Sequence, residues 1–259
     1  MERKIVHIVG TGTIGEPLIG LLCDYRDQLG IEGITFHKNT ALVGDRSKVL
    51  DLMERGARLA VDEEKIHDFK KLNMDPDFET EEAIKRAMVV IDCTPRGIGH
   101  VNKNLYYEKF TGDVKGFIAQ GSEDGFGKKY ARGINDQALD ANDQFIQIVS
   151  CNTHNLSCIT DALAVNNDPN NLVEGRYVCI RRANDLSQET GFIPSPQVGT
   201  HTDEKYGSHH AKDSAALFHT LGMDLNLFSS AMKVNSQYMH ILWFNLQVKE
   251  PTSITKIKE

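Results

Sequence analysis

The sequence has little that would direct it to a membrane or to nucleic acid. None of its apolar runs approaches the ~20 residues of a membrane span. No lysine- or arginine-rich run stands out, and the formal net charge is −7. The first residues lead from Met1 directly into a predicted strand without a signal-peptide pattern. These absences predict a cytoplasmic chain with neither membrane nor nucleic-acid partners.

Cysteine is also scarce. The five cysteines are odd in number and lie in predicted strands or helices, a pattern typical of reduced thiols and not of a disulfide framework. The histidines His209 and His210 have no recognisable zinc-ligand spacing to Cys151, so no metal site is predicted. A length of 259 residues allows two domains or one large one.

A glycine-rich turn follows the first predicted strand, Lys4 to Val9, and precedes an apolar-periodic helix. It reads Gly10-Thr11-Gly12-Thr13-Ile14-Gly15, the G-x-G-x-x-G pattern in its strand–turn–helix setting. The first glycine allows the tight turn, the second lets a pyrophosphate approach, and the third lets the helix pack closely on the strand. The motif predicts dinucleotide binding, and the alternative is a glycine-rich turn with no ligand.

The end of the second predicted strand, Gly33 to Phe36, bears on the choice of cofactor. A ribose 2′-hydroxyl usually meets an acidic residue about 20 residues past the glycines. Here the chain reads His37-Lys38-Asn39-Thr40, without an acid. Lys38 facing a 2′-phosphate would favour NADP, or tolerance of NADP and NAD alike. The alternative is that Lys38 is a solvated surface lysine.

Strand and helix signals alternate through residues 1–150, with a helix predicted at Lys48 to Arg58 and further strands at Met88 to Cys93, Val114 to Ala119 and Phe145 to Val149. This rhythm predicts an α/β fold whose N-terminal domain is a Rossmann-type, doubly wound parallel sheet. Residues 151–259 contain three strand-like segments and a long predicted loop, Gln188 to Asp213. They predict a smaller α+β catalytic domain.

Cys151 follows the strand that ends at Val149 and precedes a helix predicted to begin near Thr153. A helix N-terminus stabilises the thiolate, the nucleophilic form of cysteine. The residue therefore suits covalent attack on a carbonyl carbon, and the alternative is a buried, inert thiol. His240 opens the last apolar strand and is either its catalytic partner or a half-buried strand histidine.

These motifs together resemble the archaeal-type, class II glyceraldehyde-3-phosphate dehydrogenases in order and in approximate spacing across almost the whole chain. The matching segments are Gly10 to Gly15, Asp92 to Gly99 with Asn102-Lys103, Gln120-Gly121, Ser150 to Thr153, Ile180 to Ala183, Ser208 to His210 and Met239-His240.

The resemblance implies phosphorylating oxidation of an aldehyde through a Cys151 thioester, with His240 as general base. It implies that a phosphorylated aldehyde and inorganic phosphate are the other reactants, and that the protein is a homo-oligomer. The resemblance places NADP or NAD against Gly10 to Gly15, Lys38, Thr94, Pro95, Gly97 and Gln120. It places phosphate groups and substrate against Asn152, Thr153, Arg181, Arg182, His209 and His210.

The chain departs from the family's pattern at three places. His154-Asn155 replaces Thr-Gly beside the nucleophile, and the loop Gly191 to Ser208 is longer and carries Asp203 and Glu204. The chain also ends before the family's C-terminal helix, which leads us to expect exposed apolar surface on the nucleotide domain and self-association. Two alternatives stay open: a different aldehyde with the same mechanism, or a non-catalytic dinucleotide-binding homologue.

Overall fold

A computed structural model describes residues 4–165, 168–183, 195–201, 203–236, 239–250 and 252–258. The chain forms two compact units, residues 1–128 with 141–147, and residues 129–140 with 148–259. Residues 188–194 and 202 of the predicted long loop, Gln188 to Asp213, lie outside the described residues. Within the described part, no helix is long and apolar enough to cross a membrane.

An eight-stranded sheet has the order β4-β3-β2-β1-β5-β6-β8-β7, and the paired strands from β4 to β8 run parallel. Its strands are β1 Ile5–Val9, β2 Gly33–His37, β3 Arg58–Val61, β4 Phe78–Glu79, β5 Val89–Asp92, β6 Gly116–Ala119, β7 Lys128–Tyr130 and β8 Phe145–Ile148. The predicted doubly wound parallel sheet is confirmed. The strand order reverses at β1, and a ligand crevice is expected beyond the carboxyl ends of the strands at that point.

The helices of this part are α1 Gly15–Asp24, α2 Arg26–Leu29, α3 Arg46–Glu54, α4 Ile66–Lys71, α5 Thr80–Arg86 and α6 Ile98–Leu105. The predicted helix Lys48 to Arg58 was too long at its end. Gly56 has a φ of +97°, which ends the helix, and Arg58 already belongs to β3.

The buried centre of the parallel sheet contains one histidine. His7 lies in the middle of β1, where all five residues are buried, and its Nδ1 lies 2.7 Å from Thr35 Oγ1. Burial, with a smaller contribution from His37, lowers the pKa of His7 to about 3. The imidazole is therefore neutral in the folded protein at physiological pH.

Acid is expected to destabilise the fold through His7. The unfolded chain binds a proton there near pH 6.5, and the folded chain only near 3, so stability is fully present above pH 6.5 and is lost as the pH falls towards 3. His7→Gln cannot titrate. Between pH 7 and 4.5 it should lose less unfolding free energy than the wild type, by roughly 2–3 kcal/mol in urea titrations. Equal losses would contradict the assignment.

The second sheet is mixed, with the order β10-β11-β9-β12. Its strands are β9 Leu172–Arg182, β10 Gln197–Val198, β11 Leu227–Val234 and β12 Ile241–Val248, and its helices are α7 Cys151–Thr160, α8 His209–His219 and α9 Ile254–Lys258. Leu156 of α7 and Phe218 of α8 pack with Tyr177 of β9 in one core.

The helix α8 corrects the predicted loop Gln188 to Asp213, because the chain is helical from His209 onward. Its first turns bury polar side chains, including Asp213, which accepts a hydrogen bond from Lys129 Nζ at 2.8 Å. The buried face therefore lacks the apolar periodicity that identifies a helix in a sequence.

Candidate active site

The glycine-rich turn forms an open cradle of backbone at the start of α1. Gly10 has a φ of +96°, and a Cβ at Gly15 would lie 1.9 Å from the Gly10 carbonyl oxygen. Both positions therefore require glycine. Gly12 is exposed, with nothing within 4 Å of the place a Cβ would occupy. Exposed backbone at a helix N-terminus fits a pyrophosphate, so the residues present fit a dinucleotide.

A buried carboxylate fixes the neighbouring loop after β5. Asp92 Oδ1 accepts hydrogen bonds from the backbone N–H and the hydroxyl of Thr94, and its Oδ2 accepts from Asn102 Nδ2 at 2.9 Å and Tyr107 Oη at 2.6 Å. The Thr94 carbonyl in turn accepts from Gln120 Nε2. This network leaves Pro95 and Gly97 exposed on a loop whose backbone is held in place.

Of the two alternatives for Lys38, a solvated surface lysine is wrong, and a contact with a 2′-phosphate stays a prediction. Its side chain is only 10% exposed, and its Nζ donates to Asp45 Oδ2 at 2.6 Å and to Thr11 Oγ1 at 3.4 Å. It is therefore neither a solvated lysine nor a cation without a counter-charge. Sequence reasoning missed Asp45, because the end of β2 has no acidic residue and Asp45 lies at the start of the next helix, α3.

In the second unit, Cys151 lies in the first turn of α7. The helix begins at Cys151 and not near Thr153, and Ser150 is its N-cap, accepting from the Thr153 N–H at 3.4 Å. The fully buried Thr153 also exchanges a hydrogen bond with the Ser150 hydroxyl at 3.0 Å. Cys151 itself is exposed. A thiol here is accessible and lies at the positive end of the helix dipole.

His240 lies beside this thiol although it is 89 residues away in the chain. Its Nδ1 is 4.0 Å from Cys151 Sγ and 3.2 Å from Asn152 Oδ1. The amide oxygen of Asn152 can only accept, so this hydrogen bond favours the tautomer with a proton on Nδ1. That tautomer leaves the lone pair on Nε2, and the Nδ1 proton can support a thiolate.

Two further predicted residues gather near this pair. Burial, with contributions from His209, Arg181 and His240, lowers the pKa of His210 to about 3, so its imidazole is neutral at physiological pH. Its Nδ1 lies 3.5 Å from Ser150 Oγ. Among the described residues, its buried Nε2 and the Nε of Arg181 find no hydrogen-bond partner. Buried polar atoms without a hydrogen-bond partner point to a ligand that would bind to them.

The remaining predicted residues are placed differently. Strand alternation directs Arg182 to the opposite face of the sheet from Arg181. His209 is exposed, with its ring centroid 3.9 Å from that of His210. His154 Nε2 lies 3.0 Å from the Arg132 carbonyl oxygen. Within the described part of the chain, no group of three or more His, Cys, Asp or Glu residues is placed to hold a metal ion.

Comparison with known proteins places these features in a family. No family model matches the chain. It is 30% identical over 268 residues to a glyceraldehyde-3-phosphate dehydrogenase of Methanobacterium bryantii, covering 99% of this chain and 71% of that protein. It is 29% identical over 262 residues to that of Methanobacterium formicicum, with 99% and 71% coverage. It is 25% identical over 256 residues to that of Pyrobaculum arsenaticum, with 95% and 67% coverage. These relatives are longer than the present chain, which belongs to the glyceraldehyde-3-phosphate dehydrogenase family.

Proposed function

We propose that the protein catalyses the phosphorylating, NAD(P)-dependent oxidation of glyceraldehyde 3-phosphate to 1,3-bisphosphoglycerate, and its reverse, as in glycolysis and gluconeogenesis. The observation that carries the proposal is the pairing of an exposed cysteine in the first turn of α7 with His240, at 4.0 Å. The names of the relatives support it. The five cysteines are all free thiols, which supports a cytoplasmic location.

Cys151 is the nucleophile. Its thiolate, stabilised by the N-terminus of α7, attacks the aldehyde carbon and forms a hemithioacetal. His240 accepts the hydroxyl proton on Nε2 while Asn152 holds its ring through Nδ1. The nicotinamide cofactor, when bound, supplies the hydride acceptor that converts this adduct into a thioester. Inorganic phosphate then attacks the thioester carbonyl, and the Cys151 thiolate leaves.

Phosphate recognition falls to Arg181 and His210, helped by His209. The guanidinium supplies the positive charge. The neutral His210 donates a hydrogen bond through Nε2 if its other nitrogen accepts from Ser150 Oγ, 3.5 Å away. The buried atoms of Arg181 and His210 that have no partner among the described residues support this assignment. Asn152 and Thr153 support this group from α7, through the hydrogen bond of Asn152 with His240 and that of Thr153 with Ser150. Arg182 is directed to the opposite face of the sheet and takes no part in it.

The cofactor is NADP or NAD. The cradle of Gly10 to Gly15 supports pyrophosphate binding. Thr94, Pro95 and Gly97 lie on the loop beside it, and Gln120, which follows β6, donates a hydrogen bond to the Thr94 carbonyl. Lys38 lies next to Thr11, at the strand end where the adenosine ribose is bound in folds of this type.

A spectrophotometric assay tests the function. NAD(P) reduction should require both glyceraldehyde 3-phosphate and inorganic phosphate. Activity with another aldehyde alone would favour the second candidate, which rests on His154 beside the nucleophile. If the protein binds nucleotide but turns over no aldehyde in a panel, it is a non-catalytic dinucleotide-binding homologue.

We also propose that the protein is a homo-oligomer. The face of the mixed sheet opposite α7 and α8 exposes apolar side chains: Ile241 and Trp243 are 56% and 54% exposed, and Val198 is 77% exposed. Exposed apolar patches on soluble proteins commonly mark interfaces. Sedimentation at micromolar concentration should show a species larger than 28.9 kDa, and Trp243→Glu should shift it towards the monomer. A wild-type monomer would overturn this proposal.

A further inference from the structure

The pairing of β1 with β2 brings a lysine to the glycine turn. Val9 is aligned with His37, and the Gly10 N–H donates to the His37 carbonyl at 3.2 Å. The next residue, Lys38, therefore lies beside Thr11, with Nζ 3.4 Å from its hydroxyl. In a doubly wound nucleotide-binding sheet, the ribose of the adenosine half lies at this strand end.

Asp45 occupies the N-cap position of α3 but makes no side-chain capping hydrogen bond. Its carboxylate instead pairs with Lys38 at 2.6 Å. The two partners differ in exposure, because the lysine side chain is 10% exposed and the aspartate side chain 32%. The carboxylate can therefore move into water, whereas the ammonium group stays in place.

The segment that carries Asp45 is loosely packed. Leu42 and Val43 are 51% and 75% exposed, and no atom lies within 4 Å of the place a Cβ would occupy at Gly44. An open groove of about 530 Å³ borders the same segment, lined in part by Thr40 and Val43. Displacement of the Asp45 side chain therefore meets little steric resistance.

We propose that Asp45 is a displaceable counter-ion of Lys38 that sets the preference between NAD and NADP. The inference rests on the proposed binding of a nicotinamide dinucleotide. With NAD, the carboxylate neutralises Lys38 and accepts a hydrogen bond from the ribose 2′-hydroxyl. With NADP, the 2′-phosphate takes the place of Asp45 on Lys38 and repels the carboxylate. Asp45 thereby lowers the affinity for the phosphorylated nucleotide selectively.

Binding titrations test this without any turnover. NADP and NAD, together with adenosine 2′,5′-bisphosphate and AMP as fragments, are titrated by calorimetry into the wild type and Asp45→Asn. We expect NADP and the bisphosphate to bind about tenfold more tightly to the variant, and NAD and AMP to bind with equal or lower affinity. Lys38→Gln should weaken NADP selectively. Asp45→Ser is a second variant that retains a helix-capping residue at this position.

Asp24→Asn is the matched control. Asp24 pairs with Arg55 at 2.8 Å on the same unit, and it ends α1, the helix whose opposite end adjoins the glycine turn. Its removal should change no nucleotide affinity. If both dinucleotides bind and their affinity ratio is unchanged in Asp45→Asn and Asp45→Ser, the inference fails and the proposed function stands. If neither dinucleotide binds the wild type, the proposed function fails and the inference fails with it.

Discussion

Replacing Cys151 with serine is expected to abolish turnover while nucleotide affinity stays near that of the wild type. A serine hydroxyl in the first turn of α7 keeps the shape of the site. Its pKa is far too high for the helix N-terminus to produce the anion, so the covalent adduct cannot form at a useful rate. The measurement is the steady-state rate with glyceraldehyde 3-phosphate and phosphate, together with a nucleotide titration.

The same helix supplies the control. Cys158 is exposed as a residue, like Cys151, but partial desolvation of its thiol and, to a smaller extent, the nearby Asp161 raise its pKa. Cys158→Ser should therefore keep wild-type activity. In the wild type, iodoacetamide should alkylate Cys151 well before Cys158, as peptide mass spectrometry would show. Substantial activity of Cys151→Ser would exclude a covalent mechanism through this residue.

Replacing His240 with asparagine is expected to slow the chemical step by about 10²–10⁴, the usual contribution of a general base. The variant loses the group that accepts the hydroxyl proton, and it loses the imidazole 4.0 Å from the thiol. Alkylation of Cys151 should slow as well, because the Nδ1 proton no longer supports the thiolate. Single-turnover rates across pH, measured beside the alkylation rates, provide the test.

His219→Asn is the comparison for this substitution. His219 ends α8, and its side chain is 72% exposed and pairs with Asp224 at 3.0 Å. Its loss should leave both the pH–rate profile and the alkylation rate unchanged. If His240→Asn likewise retains the wild-type profile, His240 has a structural role and another group acts as base.

The parts of the site that depend on local pattern could be predicted from the sequence. The glycine-rich turn could be identified because Gly10 and Gly15, the two positions where a side chain cannot be accommodated, lie close together between a strand and a helix. Cys151 was placed at a helix start for the same local reason, with an error of two residues in where the helix begins. The proximity of Cys151 and His240 followed only from the family resemblance, since 89 residues separate them.

The parts that depend on tertiary contacts were missed. Asp45 meets Lys38 only because a turn and the start of α3 bring it back to the strand end. Three of the buried positions of α8 carry polar residues, His210, Asp213 and Ser214. The hydrogen-bond partners of Asp213 and Ser214 come from distant segments of the chain. A polar residue that is satisfied by a remote partner gives no apolar period to detect.

The second unit is built from two separate stretches of the chain, and this constrains the order in which it can fold. Residues 129–140 belong to it, although the chain returns to the first unit for residues 141–147. Ala131 and Ile134 from that segment are part of its core, and Asn135 Nδ2 donates to Thr220 Oγ1 at 3.0 Å. During synthesis this piece leaves the ribosome long before the strands that complete its core. Its contacts with α8 cannot form before that helix has been made, so the second unit cannot finish folding until late in synthesis.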